Sequence, residues 1–380
     1  MKAKGIEKIL VTGGAGFIGS HTVDLLIKHG YQTTIIDNLE PQVHGKTKPD
    51  YINKEATFIQ HDIQDRNFLG KTVLEVDAII HLAALVGVGQ SMYQIERYIN
   101  TNTRATATLL EILAKQEHNV RKLIVASSMS VYGEGKYHCE KCATEAYPDL
   151  RTEEQLKKRQ WNQTCPNCGS ILKPLPTDEN KPLMPTSIYA QSKRHQEEMC
   201  LLTGKTYGIP TVALRYFNVY GSRQSLSNPY TGACAIFTSR ILNNRAPYIF
   251  EDGNQARDFI HVKDIAQANL NALQHNNPNY KAINIGTGKP TTIIELAETL
   301  TKLYKKPNLK PHISSEYRKG DIRHCYADTT KAQELLHFKP TTTLQTGLTE
   351  LAEWAQTHGW GATDLFEKAL KELKEKHLAT

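Results

Sequence analysis

The sequence predicts an α/β protein: a doubly wound parallel sheet, then a smaller α/β lobe, with one metal-binding segment inserted. Three observations predict it. Short apolar runs alternate with helical stretches through the first 220 residues, a glycine triplet stands between the first run and the first helix, and two C-x-x-C pairs lie in a polar stretch that breaks the alternation. A chain of 380 residues, 39% hydrophobic and 22% charged, is long enough for two domains at about 150 residues each and for a full core. That composition excludes a disordered tail, a fibre and a disulfide mini-protein. The net charge of +7 is spread without a basic block, which suits an anionic small substrate better than nucleic acid.

Residues 9–11 form a short apolar strand. Phe17, Ile18, Val23, Leu25, Leu26 and Ile27 then line one face of a helix ending near Gly30. A second strand at 33–36 ends at Asp37, and further strands are expected at 57–60, 78–80, 123–126 and 212–214, with helices over 99–115 and 189–202. Domain boundaries follow at 1–220 for the sheet domain and 221–380 for what is mainly the second lobe, with the insertion at 134–185. The stretch 364–377 reads as a charged amphipathic helix, solvated at the terminus. Glu7 and Lys8 interrupt any signal-like apolar segment, and the run 76–88 is broken by Asp77 and His81, well short of the ~20 residues a membrane helix needs. A soluble cytoplasmic protein with no membrane partner is expected.

Gly13, Gly16 and Gly19 follow the first strand at dinucleotide-binding spacing. The first permits a tight turn, the second lets backbone approach a pyrophosphate on the helix N-terminus, and the third allows close helix packing. Asp37 closes the second strand 18 residues after Gly19, where a carboxylate accepts the ribose hydroxyls. With Asn38 next and no nearby arginine, NAD is preferred over its 2′-phosphate.

Tyr189 and Lys193 stand four apart at a helix start, so a phenol and an ammonium share one face. A positive charge beside a phenol of pKa ~10 draws it toward the working range of a general base. Ser127 and Ser128 end the fifth strand, where a hydroxyl can share the reacting oxygen.

With these residues the chain resembles the extended short-chain dehydrogenases/reductases of the nucleotide-sugar epimerase and dehydratase class. The resemblance runs through residues 13–19, Asp37-Asn-Leu39, Asp62-Ile63, His81-Leu-Ala-Ala84, Asn102, residues 127–133, residues 189–193, residues 215–221 and residues 257–261. It implies a Rossmann-like NAD domain with a nucleotide-sugar lobe. Catalysis is then expected of Ser128, Tyr189 and Lys193. Contacts to NAD are expected of Gly13, Gly16, Phe17, Ile18, Gly19, Asp37, Asn38, Asp62, Ile63, Leu82, Ala83, Ala84, Asn102, Ser127, Tyr189, Lys193 and Phe217. The nucleotide-diphosphate sugar falls to Ser128, Asn218, Arg257 and Arg318, guanidinium forks suiting phosphate. Cys325 matches a position that limits the sugar pocket in such enzymes. Relatives of this class pair through the helices at 99–115 and 189–202, which implies a homodimer.

Dehydratases of the class carry an acidic pair after the catalytic hydroxyl residue, where this chain has Met129-Ser130. Reversible oxidation at C4 is left: a 4-epimerase, or a 4-ketoreductase fed with reduced cofactor. A non-catalytic NAD-sensing protein is a third reading. Val86 stands where some 4-epimerases have lysine, which argues against plain UDP-galactose epimerisation. Residues 37–45, 86–92 and 127–135, with the cysteine insertion, resemble bacterial dTDP-L-rhamnose 4-epimerases, which interconvert dTDP-L-rhamnose and dTDP-6-deoxy-L-talose.

Cys139 and Cys142, then after 22 residues Cys165 and Cys168, have the spacing of a four-cysteine zinc ribbon. Four thiolates leave no open coordination position, so a zinc ion there is structural. Cys200, Cys234 and Cys325 also read as ordinary buried residues. Because the insertion separates Ser128 from Tyr189, the ribbon is expected to wall or lid the sugar pocket, the alternative being a subunit contact.

Overall fold

A computed structural model describes residues 2–45, 47–359 and 361–380. The alternating runs become β1 (Lys8–Thr12), α1 (Phe17–Lys28), β2 (Gln32–Asp37), β3 (Thr57–Gln60), α2 (Arg66–Val73), β4 (Ala78–His81), α3 (Ala105–Lys115), β5 (Lys122–Ser128), α4 (Ile188–Thr206) and β6 (Thr211–Tyr216). After an excursion into the second lobe, α5 (Val262–Gln274) and β7 (Lys281–Ile285) return to the same body. The sheet runs β7-β6-β5-β4-β1-β2-β3. Every neighbouring pair is parallel.

The pleat sorts the core. Ile9 and Val11 of β1 point to one face and pack in a cluster with Ile35, Ile80, Ile124 and Ile265 of α5. Leu10, between them, joins Ile36, Ile79, Leu123 and the α3 residues Leu109 and Ile112 on the other face. All three β1 side chains are fully buried, each contributing roughly 1.5–3 kcal/mol. Chain order reverses between β1 and β4, and in such sheets the crevice beyond the strands' C-terminal ends at that point takes ligands.

Three expectations are corrected. Position 221 is not where the sheet domain ends, because β7 pairs with β6 from Lys281↔Val212 to Ile285↔Tyr216. A fully buried parallel strand is apolar on both faces, so its sequence does not reveal which sheet it joins. The helix expected over 99–115 begins earlier, with a turn at Ile95–Tyr98 and a widened π-helical turn at Ile99–Arg104 ahead of α3. The terminal stretch is α6 (Phe366–Glu375), whose Phe366, Ala369, Leu370 and Leu373 are buried, so it is packed and not merely solvated.

The second lobe surrounds a separate apolar cluster joining Phe237, Leu296, Leu300, Leu348 and Leu351. The insertion is a three-stranded antiparallel sheet, Thr144–Ala146, Lys136–Cys139 and Lys173–Leu175. Among the described residues, no helix is long and apolar enough to cross a membrane.

Candidate active site

A cleft of about 600 Å³ runs from the β1–α1 turn to the second lobe. At its first end the glycines are required by space. Gly13 has φ +69°, and a Cβ there would lie 2.8 Å from the Ala83 backbone. A Cβ on Gly19 would lie 2.1 Å from the Gly13 carbonyl oxygen. Gly16 precedes the first residue of α1 and supplies no side-chain cap, and the first turn carries no acidic residue. The leading N–H groups of α1 therefore face the cleft as an anion cradle.

Asp37, at the end of β2, accepts the Ala15 N–H on Oδ2 at 3.1 Å and the Leu39 N–H on Oδ1 at 2.9 Å. Burial raises its pKa against those bonds. His44 Nε2 lies 3.7 Å away, a neighbour the sequence did not suggest. Asn38 Nδ2 donates to Asp62 Oδ2 at 3.0 Å, which joins the ends of β2 and β3. Phe17, Ile18, Asp62, Ile63, Leu82, Ala83 and Ala84 line the same end, and Phe217 lines the cleft farther along. Arg257 and Arg318, both from the second lobe, are the only lining arginines among the described residues. Glycine cradle, free helix N-terminus and ribose-facing carboxylate together fit a dinucleotide without a 2′-phosphate.

Asn102 is the exception. It is fully buried outside the lining, its Oδ1 accepting the Leu85 N–H at 2.8 Å and its Nδ2 donating to Leu85 O and Ser192 Oγ at 3.0 and 2.9 Å. The π-helical turn aims it inward, so it ties the loop after β4 to α4 and does not face the cleft.

Ser127, Ser128, Tyr189 and Lys193 meet where the cleft crosses the end of β5. Ser187 caps α4 by accepting the Ala190 N–H, and the Tyr189 N–H is taken by Ser91 Oγ at 3.0 Å. The helix start is thereby anchored on both sides. Burial pushes the Tyr189 phenol up, and the Ser128 hydroxyl beside it works against that. Lys193 Nζ donates to Ala126 O at 2.9 Å, and burial brings its pKa down to about 7. Ser128 Oγ accepts from the Ser130 hydroxyl at 2.9 Å, so of Met129-Ser130, which stand where dehydratases have their acidic pair, the serine bonds the Ser128 hydroxyl. Ser127 faces away from chemistry, donating to Glu197 Oε2 at 2.6 Å, and Glu197 grips buried Arg215.

At the second end Asn218 lines the cleft, and its buried Oδ1 has no hydrogen-bond partner among the described residues. A buried acceptor without a partner costs free energy unless a ligand donor meets it. Arg257 spends three N–H groups on the carbonyls of Ala256, Ile322 and Arg323, at 2.7–3.0 Å, which leaves two of its five donors for a ligand. Arg318 lies over the Phe250 ring and pairs with Asp321 at 2.7 Å. Cys325 is not a wall residue: it sits 1% exposed in a cluster with Met129, Tyr132 and Phe217, its thiol against Thr177.

Sequence reasoning missed α6. Phe366, Leu370 and Leu373 line the cleft, and their i, i+4, i+7 spacing was a readable signal of a buried face. Residues 86–92, cited above only for their resemblance, place Val86, Val88 and Met92, 43%, 40% and 38% exposed, on the cleft wall.

The four insertion cysteines bring their sulfurs within 4.8 Å of one another. The cross-knuckle pairs Cys139–Cys168 and Cys142–Cys165 are 3.5 and 3.9 Å apart, against about 3.8 Å for thiolates around a tetrahedral ion at ~2.3 Å. The donor set fits such an ion. Among the described residues, none from 134–185 lines the cleft, so the insertion is not its wall or lid.

Comparison with known proteins agrees with this geometry. The profile of the "NAD dependent epimerase/dehydratase family" matches residues 9–286. A dTDP-L-rhamnose 4-epimerase of Burkholderia thailandensis is 33% identical over 351 residues, 92% of this chain and 94% of that one. Among solved structures, UDP-glucose 4-epimerase of Thermotoga maritima with UDP-glucose superposes with a TM-score of 0.75 at 32% identity, covering 92% of this chain and 99% of that one. UDP-N-acetylglucosamine 4-epimerase of Methanobrevibacter ruminantium M1, in complex with UDP-N-acetylmuramic acid, gives 0.75 and 32% over 94% and 99%.

Proposed function

The chain belongs to the NAD dependent epimerase/dehydratase family, and from that premise we propose that it inverts C4 of a nucleotide-diphosphate sugar, interconverting dTDP-L-rhamnose and dTDP-6-deoxy-L-talose. The observation that carries C4 epimerisation is the serine pair. Ser128 and Ser130 stand beside Tyr189, and the first carboxylate after Ser128 is Glu134. Its oxygens are occupied by the backbone N–H groups of Arg323 and His324. No acid is thus presented to expel water from C6, while proton transfer at O4 needs only the phenol.

The residues divide the work. When bound, NAD supplies a reversible hydride acceptor. Tyr189 takes the proton of the 4-hydroxyl and later returns it. Ser128 holds the same oxygen, with Ser130 orienting the Ser128 hydroxyl. Lys193, when protonated, favours the phenolate. Asn218 and the two remaining donors of Arg257 hold the diphosphate side, with Arg318 closing on it once it exchanges Asp321 for phosphate.

The apolar patch of Val86, Val88 and Met92 supports a 6-deoxy sugar. Val86 and the Val88–Ser91 turn are tied to Tyr189 through Ser91 and to Tyr98, so the patch flanks the reaction centre. A methyl at C6 is met there by hydrocarbon, whereas a 6-hydroxyl loses water without gaining a partner. The four cysteines are read as holding one structural zinc ion, which elemental analysis of purified protein would measure at one per chain.

The test is to incubate purified protein, without added cofactor, with dTDP-L-rhamnose or UDP-glucose and to follow the sugar protons by NMR. Epimer signals from dTDP-L-rhamnose alone are expected. Turnover of UDP-glucose alone overturns the sugar, and turnover of neither, even with NAD added, overturns the reaction.

A further inference from the structure

Glu134 opens the insertion and is 2% exposed, and among the described residues its carboxylate is hydrogen-bonded by neutral donors alone. Arg323 N–H reaches both oxygens at 2.9 and 2.8 Å, and His324 N–H reaches Oε1 at 2.8 Å. The other two donors are the Tyr137 hydroxyl at 2.6 Å and Gln163 Nε2 at 3.0 Å. These last two come from the two cysteine knuckles, Tyr137 two residues before Cys139 and Gln163 two before Cys165. Tyr137, Cys139, Cys165 and Leu172 pack in one small apolar cluster. On the other side, the Arg323 backbone whose N–H binds Glu134 offers its carbonyl to Arg257 Nη1 at 3.0 Å, and Ile322 O takes Nη2 at 2.7 Å.

Other contacts follow the same direction. The Gly135 N–H donates to His324 O at 2.9 Å, and the Thr177 N–H donates to Tyr326 O at 2.8 Å. Arg151, buried with Glu251, also donates to Asp321 O at 3.0 Å, and Asp321 is the partner of Arg318. The insertion therefore never touches the cleft, but it grips the segment 321–326, to which Arg257 is hydrogen-bonded and Arg318 is paired.

We propose that Glu134 is a positioning residue for nucleotide-sugar binding, through which the four-cysteine insertion sets the aim of Arg257 and Arg318. The inference rests on the nucleotide-sugar reading above and adds the residue that controls its diphosphate site. A carboxylate collecting backbone N–H groups fixes their direction far better than a neutral group of the same shape. Replacing it with an amide turns an N–H₂ toward N–H donors and releases the segment.

The experiment measures dTDP and UDP binding by calorimetry for the whole protein and for Glu134→Gln and Tyr137→Phe, together with bound NAD and melting midpoint. Glu134→Gln is expected to weaken the preferred nucleotide about tenfold or more, and Tyr137→Phe, which keeps the carboxylate, about two- to fivefold. Retained NAD is expected in both, with KM rising in the epimerase assay while kcat holds. Should Glu134→Gln fail to fold, Tyr137→Phe decides alone. Unchanged nucleotide affinity in folded variants overturns the proposal, as does a parallel loss of NAD, which is what a merely structural role would give. A parent protein that binds neither nucleotide overturns the nucleotide-sugar reading itself, and this inference with it.

Discussion

The dinucleotide end of the cleft is shaped largely by backbone within residues 13–84, whereas the substrate end is assembled from side chains spread between Asn218 and Leu378. At the first end Gly13 and Gly19 leave no room for a single carbon, and the groups offered to an anion are backbone N–H groups of a helix start. At the second, Arg257 and Arg318 are already engaged, one by three carbonyls and the other by Asp321. Close packing makes the first end nearly all-or-none. Competing partners make the second graded, because affinity there is the difference between a ligand and the bonds it displaces.

The sharpest way to separate chemistry from both ends is Tyr189→Phe. It removes the proton carrier at the junction and should lower kcat by roughly 10²–10⁴-fold, while NAD content and nucleotide affinity stay at parent levels; a fall in either would mean that the phenol also holds a ligand. Next comes Gly19→Ala, which drives a methyl to 2.1 Å from the Gly13 carbonyl. The turn must shift at a cost of about 1–3 kcal/mol, and the purified variant should carry little NAD by absorbance after denaturation, yet bind dTDP if the two ends are independent.

Cys165→Ser tests the graded end from a distance. Loss of metal by elemental analysis should accompany weaker dTDP binding, by less than the about tenfold expected of losing a hydrogen-bonded charge, with NAD retained. Equal weakening at both ends would break the comparison. The last test concerns stability. Burial lowers Lys193 to about 7, below the ~10.4 of an unfolded lysine. The unfolded chain then binds more protons between those values, so stability rises with pH across that window; the penalty is full below about 7 and gone above about 10.4. Lys193→Met should therefore melt higher than the parent at pH 6, and the advantage should vanish by pH 10.

Legibility followed the same division. The glycines, Asp37, Tyr189 and Lys193 were readable because their chemistry depends on spacing within one turn or one βαβ unit, and the fold places them all on the cleft. Asn102 was assigned to the cleft and lies behind it, since one turn of π-helix decides which way a side chain points; of the two readings of Cys325, the buried one matches its place in the core. The apolar stripe of α6 was readable in its spacing, but its charged residues outnumber that stripe, and what the face meets, Phe250 among others, came only from packing.

By itself, then, the sequence determined the parallel sheet, its dinucleotide turn, the tyrosine–lysine pair and the four-cysteine spacing, all of which are encoded by short-range periodicity and local backbone geometry. Tertiary structure alone decided that β7 completes the first sheet, that the insertion grips the 321–326 segment instead of covering the cleft, and that Glu134 is the point where it does so. Those contacts join residues as much as 190 positions apart. A pairing at that separation leaves no local pattern, because it is selected by the complementarity of two surfaces that exist only after each has folded.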